Sequence, residues 1–306
     1  MNTQHPPNGI AVIDALHLGR PHVIATYLLL GAEPALVDPG PASTLPTVAA
    51  ALATYGLELS DIRHIILTHI HLDHAGASGL LMSHSPTARV YVHERGAPHL
   101  IDPSRLLNSA TQLYGDQMER LWGEVRPIPA ERVVIYGEGE RLQAGDRELL
   151  AYDAPGHAKH HLIWFEPASG TAFVGDSAGV RLPGVPFTRP ATPPPDIDIE
   201  GWLRTLERIE SLAPRRLMLT HFGPFDDVAF HLADYRERLL RWAELVRAGL
   251  ESGRSEAEQI AALEALGAAE AAGIDGPAQA ALTQQSGDLS ASWRGLARYW
   301  RKRLQL

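Results

Sequence analysis

The sequence predicts an α/β protein with sheets inside, helices outside and a helical extension at the C-terminal end. Two observations lead there. Over about the first 225 residues, short apolar runs, partly β-branched and bounded by Gly or Pro, alternate with helical segments. Beyond residue 226, strand signals stop and Ala, Leu, Glu and Arg dominate. In chain order, 23–30 and 34–37 read as strands, the second running into the turn Asp38-Pro39-Gly40. A helix follows over 45–55 and a buried strand over 62–67. Further strands are expected at 89–93, 132–136, 148–152, 162–165, 171–174 and 216–219, with helices over 104–122 and 198–212. The extension carries helical spacing at 228–250, 255–266 and 289–303, the last with Trp293, Leu296, Ala297 and Trp300 on one face. The expected division is a body over 1–225 and an extension over 226–306.

Composition narrows the function. The chain has 306 residues, 45% of them hydrophobic, a net charge of −9 and no cysteine. Disulfides, iron–sulfur clusters, thiolate zinc sites and a cysteine nucleophile are therefore excluded. An acidic balance argues against a nucleic-acid partner, which needs positive charge against phosphate. No apolar run is long enough to span a bilayer, and residues 1–7 lack the pattern of a signal peptide. The expectation is a cytoplasmic protein acting on a small molecule, with no nucleic-acid or membrane partner. Trp293 and Trp300 serve either tail packing or a subunit contact, which leaves a homo-oligomer open.

Histidine is the outlier, at 15 residues. The densest cluster is Thr68-His69-Ile70-His71-Leu72-Asp73-His74, directly after the strand at 62–67. Alternate residues at a strand end point the same way, so His69 and His71 can share one cation. Asp73 is the expected helix start, which would turn Asp73 and His74 toward a second point nearby. Imidazoles and carboxylates suit zinc and related divalent ions. Three more strand ends carry the same kind of residue beside a glycine: Gly156-His157, Gly175-Asp176 and Thr220-His221-Phe222-Gly223.

The order H-x-H-x-D-H, GH, GD and His, at intervals of 83, 19 and 45 residues, resembles the metallo-β-lactamase fold superfamily of hydrolases, in its glyoxalase II-like or lactonase-like branch. The likeness covers about residues 10–225. It implies an αββα sandwich with the site at one edge between the sheets. It also implies one metal on His69, His71 and His157, a second on Asp73, His74 and His221, and Asp176 bridging them. Asp38, in the early acidic turn, would orient the ligands from beneath. Two divalent cations are implied, with zinc favoured and iron or manganese as alternatives.

The resulting expectation is a dinuclear metal-dependent hydrolase in which a hydroxide bridging the metals attacks a small ester, thioester or lactone, and Asp73 takes the proton. A small-phosphodiester hydrolase of the same fold and a non-catalytic metal-binding protein are the alternatives. Asp73-His74-Ala75-Gly76-Ala77 lacks the Gly-Asn that usually follows in glutathione-specific members. Tyr114, Met118, Leu121 and Trp122 share one stripe of the helix at 104–122, either a packing face or an apolar wall for an acyl group. The Pro-rich loop 180–195, with Phe187, either lines the entrance or only connects elements. Ser177 is expected as a hydrogen-bond partner, and His160 or His161 as a neighbour of the ligands. His64, His84, His93, His99 and His231 are expected to be satisfied or at the surface.

Overall fold

The computed structural model describes residues 9–272, 274 and 289–305; residues 1–8 and part of the extension lie outside them. Six strands form a first sheet in sequence order: Ile10–Asp14 (β1), Ala25–Leu29 (β2), Ala35–Val37 (β3), His64–Ile66 (β4), Arg89–His93 (β5) and Val133–Tyr136 (β6). The pairs β1–β2 and β2–β3 are antiparallel; the others are parallel. A second sheet holds Arg141–Ala144 (β7), Arg147–Asp153 (β8), Leu162–Glu166 (β9), Thr171–Gly175 (β10), Arg216–Leu219 (β11) and Gly223–Phe225 (β12), adjacent in that order. Only its β10–β11 pair is parallel.

Alternation along the strands sorts their side chains into three apolar layers. Tyr27, Leu29, Val37 and Ile66 of the first sheet meet Leu149, Leu162, Trp164 and Phe173 of the second, filling the space between them. The other face of the first sheet, with Leu28, Leu36, Ile65 and Val90, packs on the helices Leu45–Ala53 (α1), Ser78–His84 (α3) and Ala97–Ile101 (α4). Between α1 and α3 lies the short helix Leu72–Ala75 (α2). Ser104–Tyr114 (α5) and Met118–Trp122 (α6) follow α4. The outer face of the second sheet presents Ile163, Val174, Leu217 and Leu219 to Ile199–Ser211 (α7), Val228–Glu251 (α8), Glu256–Glu270 (α9) and Ser290–Leu304 (α10). This is an αββα sandwich, and the C-terminal helices share one apolar cluster with α7 and the sheet. Trp202, Trp242 and Trp293, all fully buried, sit in that cluster. Among the described residues, no helix is long and apolar enough to cross a membrane.

Three details differ from the sequence reading. Strands β1, β7 and β12 were not expected; β12 is three residues long and half of β7 is polar and exposed. The helix expected over 104–122 breaks at Gly115, whose φ of +53° ends α5 before a 3₁₀ turn leads into α6. Asp73 does not start its helix: His71 holds the cap position and Asp73 lies in the first turn of α2.

Candidate metal centre

Each candidate side chain leaves the end of a strand on the same edge of the sandwich. Asp38 follows β3, residues 69–74 follow β4, His157 follows β8, Asp176 follows β10 and His221 follows β11. The glycines in the motifs answer to close approach. A Cβ on Gly156 (φ +146°) would lie 2.5 Å from the Trp202 backbone, and one on Gly175 (φ +48°) 2.5 Å from Thr68 Oγ1. The β10–β11 register also shifts between Phe173 and Gly175, which re-aims the chain into Asp176.

All seven expected ligands converge. His71 Nδ1 lies 2.9 Å from both His69 Nε2 and His157 Nε2. On the other side, Asp73 Oδ2 lies 3.2 Å from His221 Nε2 and 3.6 Å from His74 Nε2. Between the groups sits Asp176, with Oδ2 3.3 Å from His157 Nε2 and Oδ1 3.3 Å from His74 Nε2 and 3.5 Å from His221 Nε2. The donor atoms of His69, His71 and His157 all lie within 4.8 Å of one another, as do those of Asp73, His74 and His221.

Hydrogen bonds on the far side of the rings fix which nitrogen faces inward. Nδ1 of His157 donates to the Ala191 carbonyl at 2.9 Å, and Nδ1 of His221 to the Val23 carbonyl at 2.7 Å. Nδ1 of His74 donates to Asp38 Oδ2 at 2.8 Å. Nδ1 of His69 is 3.2 Å from Thr68 Oγ1, which itself donates to Asp38. Four Nε2 atoms are thereby turned toward the centre, the arrangement that metal-binding imidazoles need. Asp38 is the hub beneath: its carboxylate also accepts from the Thr68 amide and from Thr220 Oγ1, both at 2.8 Å, and it is fully buried.

The charges fit cations. Burial and the neighbouring imidazoles push His69 well below the usual histidine range and His71 down to about 3. Burial opposes a charge on His74 too, but Asp176, Asp73 and Asp38 outweigh it and lift its pKa well above the usual value. Burial would raise Asp176, yet His74, His157 and His221 hold its carboxyl well below the usual range. His74 Nε2 and Asp176 Oδ1 are buried 3.3 Å apart without a hydrogen-bond partner. Such orphans are costly, and a cation held by both resolves them.

Several neighbours carried little signal in the sequence. His161, one of the two flagged beside His157, accepts from the Asp176 amide at 3.2 Å, stacks on His69 and contacts the Ser177 hydroxyl at 3.2 Å. His231 is fully buried and satisfied by the Ala178 carbonyl, one of the two outcomes expected for it. Phe187 packs on Arg238 and joins an apolar group with Leu182, Val185 and Ala271, which ties its loop to the extension. His17, unflagged, stacks on Trp122 at 5.6 Å with the rings 7° apart, and Tyr114 meets Trp122 edge-on at 5.1 Å.

A family model described as Metallo-beta-lactamase superfamily matches residues 19–221. A metallo-beta-lactamase fold-containing protein of Sulfurisphaera tokodaii is 27% identical over 71% of this chain and 80% of its own length. A hydroxyacylglutathione hydrolase of Legionella pneumophila is 27% identical over 46% of this chain and 41% of its own. Among solved structures, a metallo-beta-lactamase family protein of Thermus thermophilus aligns with a TM-score of 0.72 and 24% identity, covering 96% of this chain and 94% of the other.

Proposed function

Because the chain belongs to the metallo-β-lactamase superfamily, we propose that it is a hydrolase that works with two divalent cations on a small ester, thioester or lactone. The observation that carries this reading is the divided carboxylate of Asp176, one oxygen turned to His157 and the other to His74 and His221. His69, His71 and His157 would hold one cation and Asp73, His74 and His221 the other, with Asp176 shared. Two such ions, when bound, supply water ionised near neutral pH and a positive centre for charge developing on a carbonyl oxygen. Imidazole and carboxylate donors suit zinc, with iron and manganese as the alternatives that metal analysis decides.

Asp73 handles the proton. Its side chain is 25% exposed against 5% for Asp176, so it is the carboxylate that water reaches. Burial would raise its pKa, but His74 and His221 outweigh that effect and keep it an ionised acceptor. The ladder His17–Trp122–Tyr114 forms the substrate side. Trp122 packs on Leu72, between the ligands His71 and Asp73. Burial and the charge of Asp73 push the Tyr114 phenol up to about 12, so it remains a neutral donor. An aromatic wall of this kind favours an apolar acyl group, and the relatives named hydroxyacylglutathione hydrolase support an acyl substrate.

Metal analysis joined to a panel of carboxylic esters, thioesters, lactones and small phosphodiesters tests the proposal. Two cations per chain and turnover of one acyl class are expected, lost on chelation and restored by zinc, iron or manganese. Turnover that survives complete metal removal rejects it, as does a metal-loaded chain that cleaves only phosphodiesters. Tyr114→Ala is expected to raise KM for long or aromatic acyl substrates by about tenfold, the worth of one to two kcal/mol of lost apolar contact. Its metal content stays at the wild-type value. An unchanged preference across acyl chain lengths removes Tyr114 from the substrate wall.

A further inference from the structure

Arg181 lies five positions after Asp176 and takes no part in the ligand set, yet it is 92% buried. Its main chain pairs with the peptide link between His221 and Phe222, just beyond β11. The Arg181 amide donates to the His221 carbonyl at 2.8 Å, and the Phe222 amide donates to the Arg181 carbonyl at 3.2 Å. Its side chain reaches in the other direction, to helix α8. Nη1 and Nη2 donate to the two oxygens of Asp227, each at 2.8 Å, where the chain enters α8. Nη1 also lies 3.4 Å from His231 Nδ1, and Nε donates to the Val185 carbonyl at 3.1 Å. The guanidinium covers the faces of Phe225 and Phe230 at 4.4 and 5.2 Å.

The segment between Asp176 and Arg181 is held by the same layer. Trp202 Nε1 donates to the Ser177 carbonyl at 2.7 Å, and His231 Nε2 to the Ala178 carbonyl at 2.9 Å. Tyr235 closes over Gly179, where an added Cβ would lie 2.3 Å from its ring. The loop that carries Asp176 and the loop that carries His221 are thus joined at one residue, and that residue is anchored to α8.

The structure assigns to Arg181 the role of a positioning residue, which fixes Asp176 and His221 relative to each other by tying both loops to the start of α8 through Asp227 and His231. The guanidinium is suited to this because its planar fork engages Asp227 at two points while Nε and the ring faces fix its rotation; lysine offers one mobile charge. The role rests on the reading that two cations are bound. It predicts an uneven effect: the cation on Asp73 and His74 depends on both loops, through His221 and Asp176 Oδ1, whereas the one on His69, His71 and His157 depends on them only through Asp176 Oδ2.

Zinc binding by the full chain in competition with a chromogenic chelator tests this. Arg181→Met is expected to weaken one of the two zinc sites by about 10–100-fold, as loss of a group supporting metal ligands does, and to weaken the other by less than about threefold. Arg181→Lys falls between the two. Asp227→Asn, on a half-exposed carboxylate, reproduces the uneven loss in a milder form and keeps the test open should Arg181→Met fail to fold. Wild-type affinity at both sites in Asp227→Asn and Arg181→Lys, together with a lowered melting temperature of the zinc-free chains, overturns the role and leaves only a stabilising contact. A wild-type chain that binds no second zinc overturns the two-cation reading instead, and this role with it.

Discussion

Asp176→Ala is expected to abolish both proposed cation sites and activity together. Its two oxygens face the two groups separately: Oδ2 faces His157 and Oδ1 faces His74 and His221. Alanine leaves the buried His74 Nε2 without its nearer carboxylate neighbour and removes negative charge from the centre proposed to hold two divalent ions. The expected result is fewer than one tightly held cation per chain and a fall in kcat/KM of at least about a thousandfold, or 4 kcal/mol of transition-state stabilisation. Metal content by elemental analysis and turnover on the same preparation check it. Two retained cations in an inactive variant would separate Asp176 from metal binding and sink the shared-carboxylate reading.

Asp38→Asn is expected to have the largest effect on stability. The carboxylate is buried and accepts four hydrogen bonds, from the Thr68 amide, Thr68 Oγ1, His74 Nδ1 and Thr220 Oγ1. An amide of the same shape replaces one accepting oxygen with a donor, so at least one of these partners then faces another donor. It also removes the charge that holds the His74 ring. Breaking a buried charged pair costs about 3–5 kcal/mol, and the loss is expected in urea unfolding of both the chelated and the loaded chain. Asp38 adopts a left-handed conformation, φ +47°, which aspartate and asparagine tolerate alike. The backbone therefore contributes little to the difference. A change below about 0.5 kcal/mol, with normal metal content, would show that the hub is dispensable.

The cluster of candidate ligands was legible in the sequence because metal chemistry restricts residue type and because each candidate sits at a strand end marked by apolar residues before it or a glycine beside it. Most strands were legible too, since near-continuous burial in Arg89–His93 or Thr171–Gly175 leaves a short apolar run between polar residues or glycine. Strand Arg141–Ala144 was not, because half of its residues face solvent and its pairing partner supplies the order. The stripe from Tyr114 to Trp122 was read as one helix. Its apolar positions keep helical spacing across Gly115, and only the fold reveals the break. Arg181 and His231 left no imprint at all. Their partners lie up to about fifty residues away, and nothing in an isolated Arg or His announces a distant carbonyl or carboxylate.

The outer layer of the second sheet has a consequence for the order of synthesis. All seven ligands precede residue 222, yet the apolar cluster over Val174, Leu217 and Leu219 is completed by Trp242 and Trp293. A chain emerging from the ribosome therefore presents all seven candidate donors while that flank of the sandwich is covered only by α7, and helices that leave the tunnel later complete it. Nascent chains stalled before Trp293 would carry every donor and still expose greasy surface to chaperones.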